Sequence, residues 1–136
     1  MKDNKTKHVC KILTVDDEMG IDSFFYEFFT ARNYEVFSAM DGKEALRIVQ
    51  KERPRIILLD INMRGMDGIE TLVEIRRIDK DAVIIMVTAV KDEDTIKKAI
   101  GLGANDYITK PLSLEYLDRV VLLKFMSLQI RDMGQL

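Results

Sequence analysis

The 136-residue chain predicts a doubly wound α/β domain, a parallel five-stranded sheet with five helices shared between its faces. Three observations predict it. Short apolar runs rich in Val, Ile and Leu alternate with longer amphipathic stretches along nearly the whole chain. Continuous apolar runs of this length suit strands buried on both faces. Strands separated by helix-length segments must be parallel, and right-handed crossovers then distribute the helices over both faces.

The elements follow in order. Val9–Val15 is the first strand, and Ile21, Phe24, Phe25, Phe28 and Phe29 then fall on one helical stripe. Asn33 stands where that helix should end in a left-handed turn. Glu35–Ala39 is a weaker second strand. Asp41 and Glu44 cap a helix carrying Leu46 and Val49. Ile56–Leu59 is the third strand. Asp67 and Glu70 repeat the capping pattern before Ile69, Leu72 and Val73. Val83–Val87 forms the fourth strand, and Ile96, Ala99 and Ile100 the fourth helix, which Gly101 and Gly103 close. Tyr107–Thr109 is a brief fifth strand, and Ser113 to Gln129 the longest helix. Domain limits of 9–129 follow, with residues 1–8 a polar extension and 130–136 a tail.

Composition narrows the function classes. An apolar content of 47% excludes a disordered tail protein, and a net charge of −2 offers no positive field for nucleic acid. A single cysteine, Cys10, cannot form an internal disulfide and suits a reducing compartment. No apolar run approaches the roughly 20 residues that span a bilayer, and Met1–Lys7 has no apolar core of a signal peptide behind it. The expectation is a soluble, cytoplasmic domain with no direct nucleic-acid or membrane contact.

Open parallel sheets bind ligands beyond the carboxyl ends of their strands. Asp16, Asp17 and Glu18 follow the first strand, Asp60 the third, Thr88 ends the fourth, and Lys110-Pro111 follows the fifth. In a strand order of 2-1-3-4-5, the first and third strands would be neighbours, which would set Asp16 and Asp17 beside Asp60. Clustered carboxylates repel and call for a cation. Hard oxygen donors with few protein ligands suit Mg²⁺, with Mn²⁺ as the alternative. A divalent ion there makes the pocket attractive to a phosphoryl group, which Thr88 and Lys110 can contact. An aspartate can serve as nucleophile and form an aspartyl-phosphate. Singly, each residue has a plainer role: Asp16-Asp17 as a helix cap, Thr88 as a capping hydroxyl, Lys110 as a solvated cation. Their joint placement carries the reading. His8 has no ligand partner besides Cys10, Gly101-Leu102-Gly103 reads as a turn, and the eight methionines read as packing and surface scatter.

Val15-Asp16-Asp17-Glu18, Leu58–Met63, Met66-Asp67-Gly68, Val87-Thr88-Ala89 and Gly103–Pro111 together resemble a two-component response-regulator receiver domain of the chemotaxis-regulator type. The resemblance runs from about residue 9 to about 128, and it implies a flavodoxin-like fold in the order 2-1-3-4-5. It implies that Asp60 is the phosphoacceptor for a histidine kinase or histidine phosphotransfer protein. Asp17 and Asp60 would bind the metal by side chain, Asn62 by its backbone carbonyl, and Asp16 through a metal-bound water. Thr88 and Lys110 would engage the phosphoryl group, and Tyr107 would turn from exposed to buried as Thr88 shifts. Ala89 would leave room for the group, and Lys110-Pro111 would be cis. Arg64 departs from the proline most common in the family, which loosens that loop and adds a cation at the site entrance.

The implied protein is a phosphoprotein switch of a phosphorelay. It assists its own phosphorylation and dephosphorylation and has no separate turnover substrate, so it is not an enzyme in the ordinary sense. A phosphohydrolase of the haloacid-dehalogenase type would want an aspartate where Asn62 stands. A nucleotide-binding domain would want glycines in place of Asp16-Asp17-Glu18. A receiver-like module that is never phosphorylated stays open. On the last helix, Leu114, Leu117, Val121, Phe125 and Leu128 face the sheet, while Tyr116, Val120, Leu123 and Ile130 form a second stripe. That stripe meets another chain, as a homodimer or an effector contact, or packs on its own domain.

Overall fold

The computed structural model describes residues 8–134. The elements are β1 (Lys11–Val15), α1 (Met19–Thr30), β2 (Glu35–Ala39), α2 (Gly42–Glu52), β3 (Ile56–Leu59), α3 (Gly68–Ile78), β4 (Val83–Thr88), α4 (Glu93–Gly101), β5 (Asp106–Thr109) and α5 (Leu114–Met133). All strand pairs are parallel, in the order β2-β1-β3-β4-β5. This is the architecture the apolar periodicity predicts.

Side chains of a strand alternate between the two faces, so each central strand feeds two cores. Leu13, Val15, Ile57, Leu59, Ile84 and Met86 pack on one side with Val49 of α2, Leu72 and Ile75 of α3, and Ala99 of α4. Ile12, Ile56, Leu58, Ile85 and Val87 pack on the other with Phe25 and Phe29 of α1 and Leu117 and Val121 of α5. β3 and β4 are buried at every position, whereas the edge strands β2 and β5 are only partly covered. The register aligns Val15 with both Ala39 and Leu59, and Leu59 with Met86. Asp16 and Asp60 therefore leave the sheet at the same level on adjacent strands.

The helix ends follow local chemistry. The Asp41 and Asp67 side chains accept hydrogen bonds from the backbone N–H of Glu44 and Glu70, each at 2.9 Å, and Asp67 with Glu70 completes a reciprocal capping box. Asn33 takes the left-handed conformation expected after α1, at φ 70°. Arg53 does the same after α2, at φ 51°, and no residue-type signal marks it. β1 starts at Lys11, two residues later than the apolar run. α5 continues to Met133, four residues past the expected limit at Gln129, and the Arg55 guanidinium clasps Asp132 there at 3.0 and 3.2 Å. The expected N-terminal extension lies, except for its last residue, outside the described residues, as do the last two positions of the expected tail.

Candidate functional site

Two backbone hydrogen bonds bring the site's carboxylates together. The Asp60 N–H donates to the Val15 carbonyl at 3.0 Å, tying the end of β3 to the end of β1, and the Asp16 N–H donates to the Ala39 carbonyl at 3.1 Å. The Lys110 N–H donates to the Thr88 carbonyl at 2.8 Å, which carries the end of β5 to the same rim. The next residue, Pro111, follows through a cis peptide, as the family resemblance implies.

The side chains converge. Lys110 Nζ lies 2.8 Å from Asp16 Oδ2, 3.3 Å from Asp60 Oδ2 and 3.4 Å from Glu18 Oε1. Asp16 and Asp60 are 3% and 5% exposed, so both carboxylates have given up nearly all their water. That burial pushes the Asp16 carboxyl above its ordinary range, against the pull of Lys110 and of the Glu18 N–H, and the Asp60 charge pushes the same way. Burial works against the Lys110 ammonium, but the hydrogen bond to Asp16 and the charges of Asp16 and Asp60 outweigh it and raise its pKa. Lys110 brings one positive charge to two buried negative ones, leaving a local deficit that a second cation can fill.

The donor set fits a hard divalent ion. Carboxylate oxygens of Asp16, Glu18 and Asp60 lie within 4.8 Å of one another. Asp17 is not in that group. Its carboxylate accepts the Arg64 N–H at 3.3 Å, holding the β3–α3 loop instead. Glu18 takes its place beside Lys110, a role that spacing in an unbroken acidic run cannot assign. The sequence holds a trace of it, because a helix start normally wants Ser, Thr, Asp or Asn. At the start of α1 the N-cap is Glu18, which makes no capping bond.

The other expected residues ring this centre. Asn62 is exposed, and its N–H donates to Asp60 Oδ1 at 3.3 Å. Thr88 is fully buried at the end of β4, its hydroxyl accepting the Val90 N–H at 3.4 Å. Tyr107 is half-buried with its hydroxyl donating to the Val90 carbonyl, so Thr88 and Tyr107 grip the same turn of the β4–α4 loop. Burial, then the charges of Asp92 and Asp60, raise the pKa of that phenol. Ala89 is exposed and leaves the approach to Lys110 open. Gly68, the first residue of α3, explains how the helix comes so close: a Cβ there would sit 2.1 Å from the Asp60 carbonyl oxygen. A groove of about 580 Å³ opens beside Lys110, walled by Ile21 and Phe24 of α1 and by Pro111, Leu112 and Leu114.

The response regulator receiver domain family model matches residues 12–122. Sporulation initiation phosphotransferase F of Bacillus subtilis is 42% identical over 105 residues, covering 77% of this chain and 85% of that protein. The probable transcriptional regulator ycf27 of Porphyridium aerugineum is 40% identical over 108 residues, 79% of this chain but 45% of that protein. The chain thus spans less than half of some relatives it matches. Among solved structures, Vibrio cholerae chemotaxis protein CheY4 superposes with a TM-score of 0.79 at 31% identity, covering 83% of this chain and 96% of that one. A CheY-like receiver domain protein from Methanospirillum hungatei gives 0.87 at 26% identity, over 90% and 98% of the two chains.

Proposed function

The chain belongs to the response regulator receiver domain family, and we propose that its phosphoacceptor is Asp60, charged from a phosphohistidine of a kinase or phosphotransfer protein. The observation that carries this is the contact of Lys110 with two buried carboxylates from adjacent strand ends. An Asp60 oxygen attacks the donor's phosphorus, the O–P bond forms as the N–P bond breaks, and the departing imidazole keeps the electron pair and takes a proton from solvent. Lys110 transfers its contact from the Asp60 carboxylate to a phosphoryl oxygen. The Thr88 hydroxyl donates a hydrogen bond to another, and the shared Val90 turn passes that movement to Tyr107. Dephosphorylation by water at the same phosphorus closes the cycle. The product is a changed surface, which makes the domain a switch in the cytoplasm and not a turnover catalyst.

Mg²⁺ or Mn²⁺ would be held by Asp16, Asp60 and the Asn62 carbonyl, with Asp17 joining once it releases the Arg64 N–H, and with Glu18 at the rim. When bound, the ion neutralises the carboxylates and the incoming phosphoryl oxygens. The groove beside Lys110 suits the donor, since its apolar walls end at Lys110, whose ammonium contacts the Asp60 carboxylate. The test is mass spectrometry after incubation with acetyl phosphate and Mg²⁺. One phosphoryl adduct is expected on the native chain and none on Asp60→Asn. A native-like adduct on the variant would show that the nucleophile is misassigned.

A further inference from the structure

Between the end of β3 and the start of α3 the chain crosses the rim where the carboxylates gather. Both flanks of this crossing are held. The Gly68 N–H donates to the Ile61 carbonyl at 2.8 Å, and Asp67 and Glu70 cap α3. Met63 packs on the core, and Met66 lies over Gly42 of α2. Arg64 and Gly65 are exposed between the two methionines. Among the described residues, 63–66 form one hydrogen bond, from the Arg64 N–H to Asp17 Oδ2 at 3.3 Å. The neighbouring Asn62 N–H donates to Asp60 Oδ1, also at 3.3 Å. Both tethers of the crossing end on carboxylates proposed to hold a divalent ion. We propose, on that reading of the rim as an ion site, that the Arg64 N–H is a latch on Asp17 that competes with the ion, so that the backbone of residue 64 sets ion affinity and the tip of the crossing opens when the ion binds.

The competition follows from direction. Oxygens of Asp16, Glu18 and Asp60 lie within 4.8 Å of one another, and the latched Asp17 stands outside that cluster. To reach an ion there, Asp17 must turn, and turning breaks the bond to Arg64. A peptide N–H on an ionised acceptor belongs to the stronger class of hydrogen bond, but this one is long and open to water, so the ion can displace it. The Asn62 carbonyl and the Arg64 N–H flank Met63 alone. Binding therefore exchanges one peptide group for the next, the carbonyl turning in as the N–H turns out, while α3 stays where Gly68 and its capping box hold it. Gly65 gives the tip room, since nothing stands within 4 Å of its open side. The arginine side chain takes no part in the latch. Every residue but proline carries the N–H, so the identity of residue 64 decides whether the latch exists.

The test is a Mg²⁺ titration of the isotope-labelled full chain, followed by nuclear magnetic resonance, with Arg64→Pro compared to Arg64→Ala. Both variants remove the guanidinium, and only the first removes the N–H. Gly65 stands at φ 71°, the value of the third residue of a type II turn, whose second residue is commonly proline, so the backbone suits the substitution. Arg64→Pro should bind Mg²⁺ about 3- to 10-fold more tightly than Arg64→Ala, the range for one modest hydrogen bond. In an Asp17→Ala background the two should bind equally. On the native chain, the Arg64 amide should exchange with solvent several-fold faster once Mg²⁺ is bound. Equal or weaker binding by Arg64→Pro overturns the latch. A proline advantage that persists without Asp17 also overturns it, because loop stiffness is then the cause. An Arg64 amide as protected with the ion as without it overturns the latch on the native chain, whatever proline does to the fold. A native chain that shows no response to Mg²⁺ overturns the ion site itself, an outcome distinct from ion binding that is indifferent to residue 64.

Discussion

Arg76 shows how much one side chain outside the site can hold. Its guanidinium donates to the carbonyls of Gly103 at 2.9 Å, Ala82 at 2.6 Å and Asp79 at 3.3 Å, and to Asn105 Oδ1 at 2.6 Å. Asn105 Oδ1 also accepts the Ile84 N–H at 2.8 Å, so the cluster ties the end of α3 to the starts of β4 and β5. Removing it strands several acceptors, and hydrogen bonds to a charged group contribute about 1.5–3 kcal/mol each before water replaces them. Arg76→Ala should lower stability by about 2–4 kcal/mol in urea denaturation. Arg76→Lys should recover only part, because an ammonium cannot reproduce the planar fork. An alanine variant as stable as the native chain would show that water satisfies the acceptors unaided. Nothing in the sequence marks this arginine, since the residues it joins are 3 to 29 positions away and none repeats a pattern.

The elements were far more legible, because periodicity and capping chemistry are local. The stripe of phenylalanines, the acidic caps of α2 and α3, and the apolar runs of β3 and β4 each state their structure within a few residues. The limits of β1 and α5 depend on neighbours, which is why both differ from the pattern. The acidic and polar rim residues were legible in the same way, since each ends or closely follows a strand. What spacing could not resolve was which of Asp17 and Glu18 turns toward Lys110, a matter of side-chain direction at the start of α1. Placement of α3 rests on Gly68. Its missing Cβ lets the helix sit against the backbone of Asp60 and Ile61, where an added Cβ would lie 2.1 Å from the Asp60 carbonyl oxygen and 2.5 Å from the Ile61 Cα. Gly68→Ala must move backbone and should cost about 2 kcal/mol or more. It should also slow acetyl-phosphate labelling, because Asp60 shifts with its carbonyl. Gly20→Ala, in α1 with nothing within 4 Å, is the control and should leave stability unchanged or slightly raised. Equal effects of the two substitutions would show that crowding at Asp60 does not position the helix.

For the whole molecule, a divalent ion held by the buried acids, as proposed, would make folding and ion binding interdependent. A cation that binds the assembled rim and not the unfolded chain stabilises by mass action, ~1.4 kcal/mol at ten times its dissociation constant. Mg²⁺ should therefore raise the melting temperature by several degrees, and EDTA should reverse the rise. An equal rise in an Asp16→Ala, Asp60→Ala double variant would place the ion elsewhere. The effect should stay moderate, because the ammonium of Lys110 already stands between the two carboxylates. This distinguishes the domain from small zinc modules, whose chains collapse into disorder when the metal is withdrawn. Magnesium starvation would leave a folded, protease-resistant protein that is merely mute. Restoring the ion would return its competence at once, with no refolding and no new synthesis.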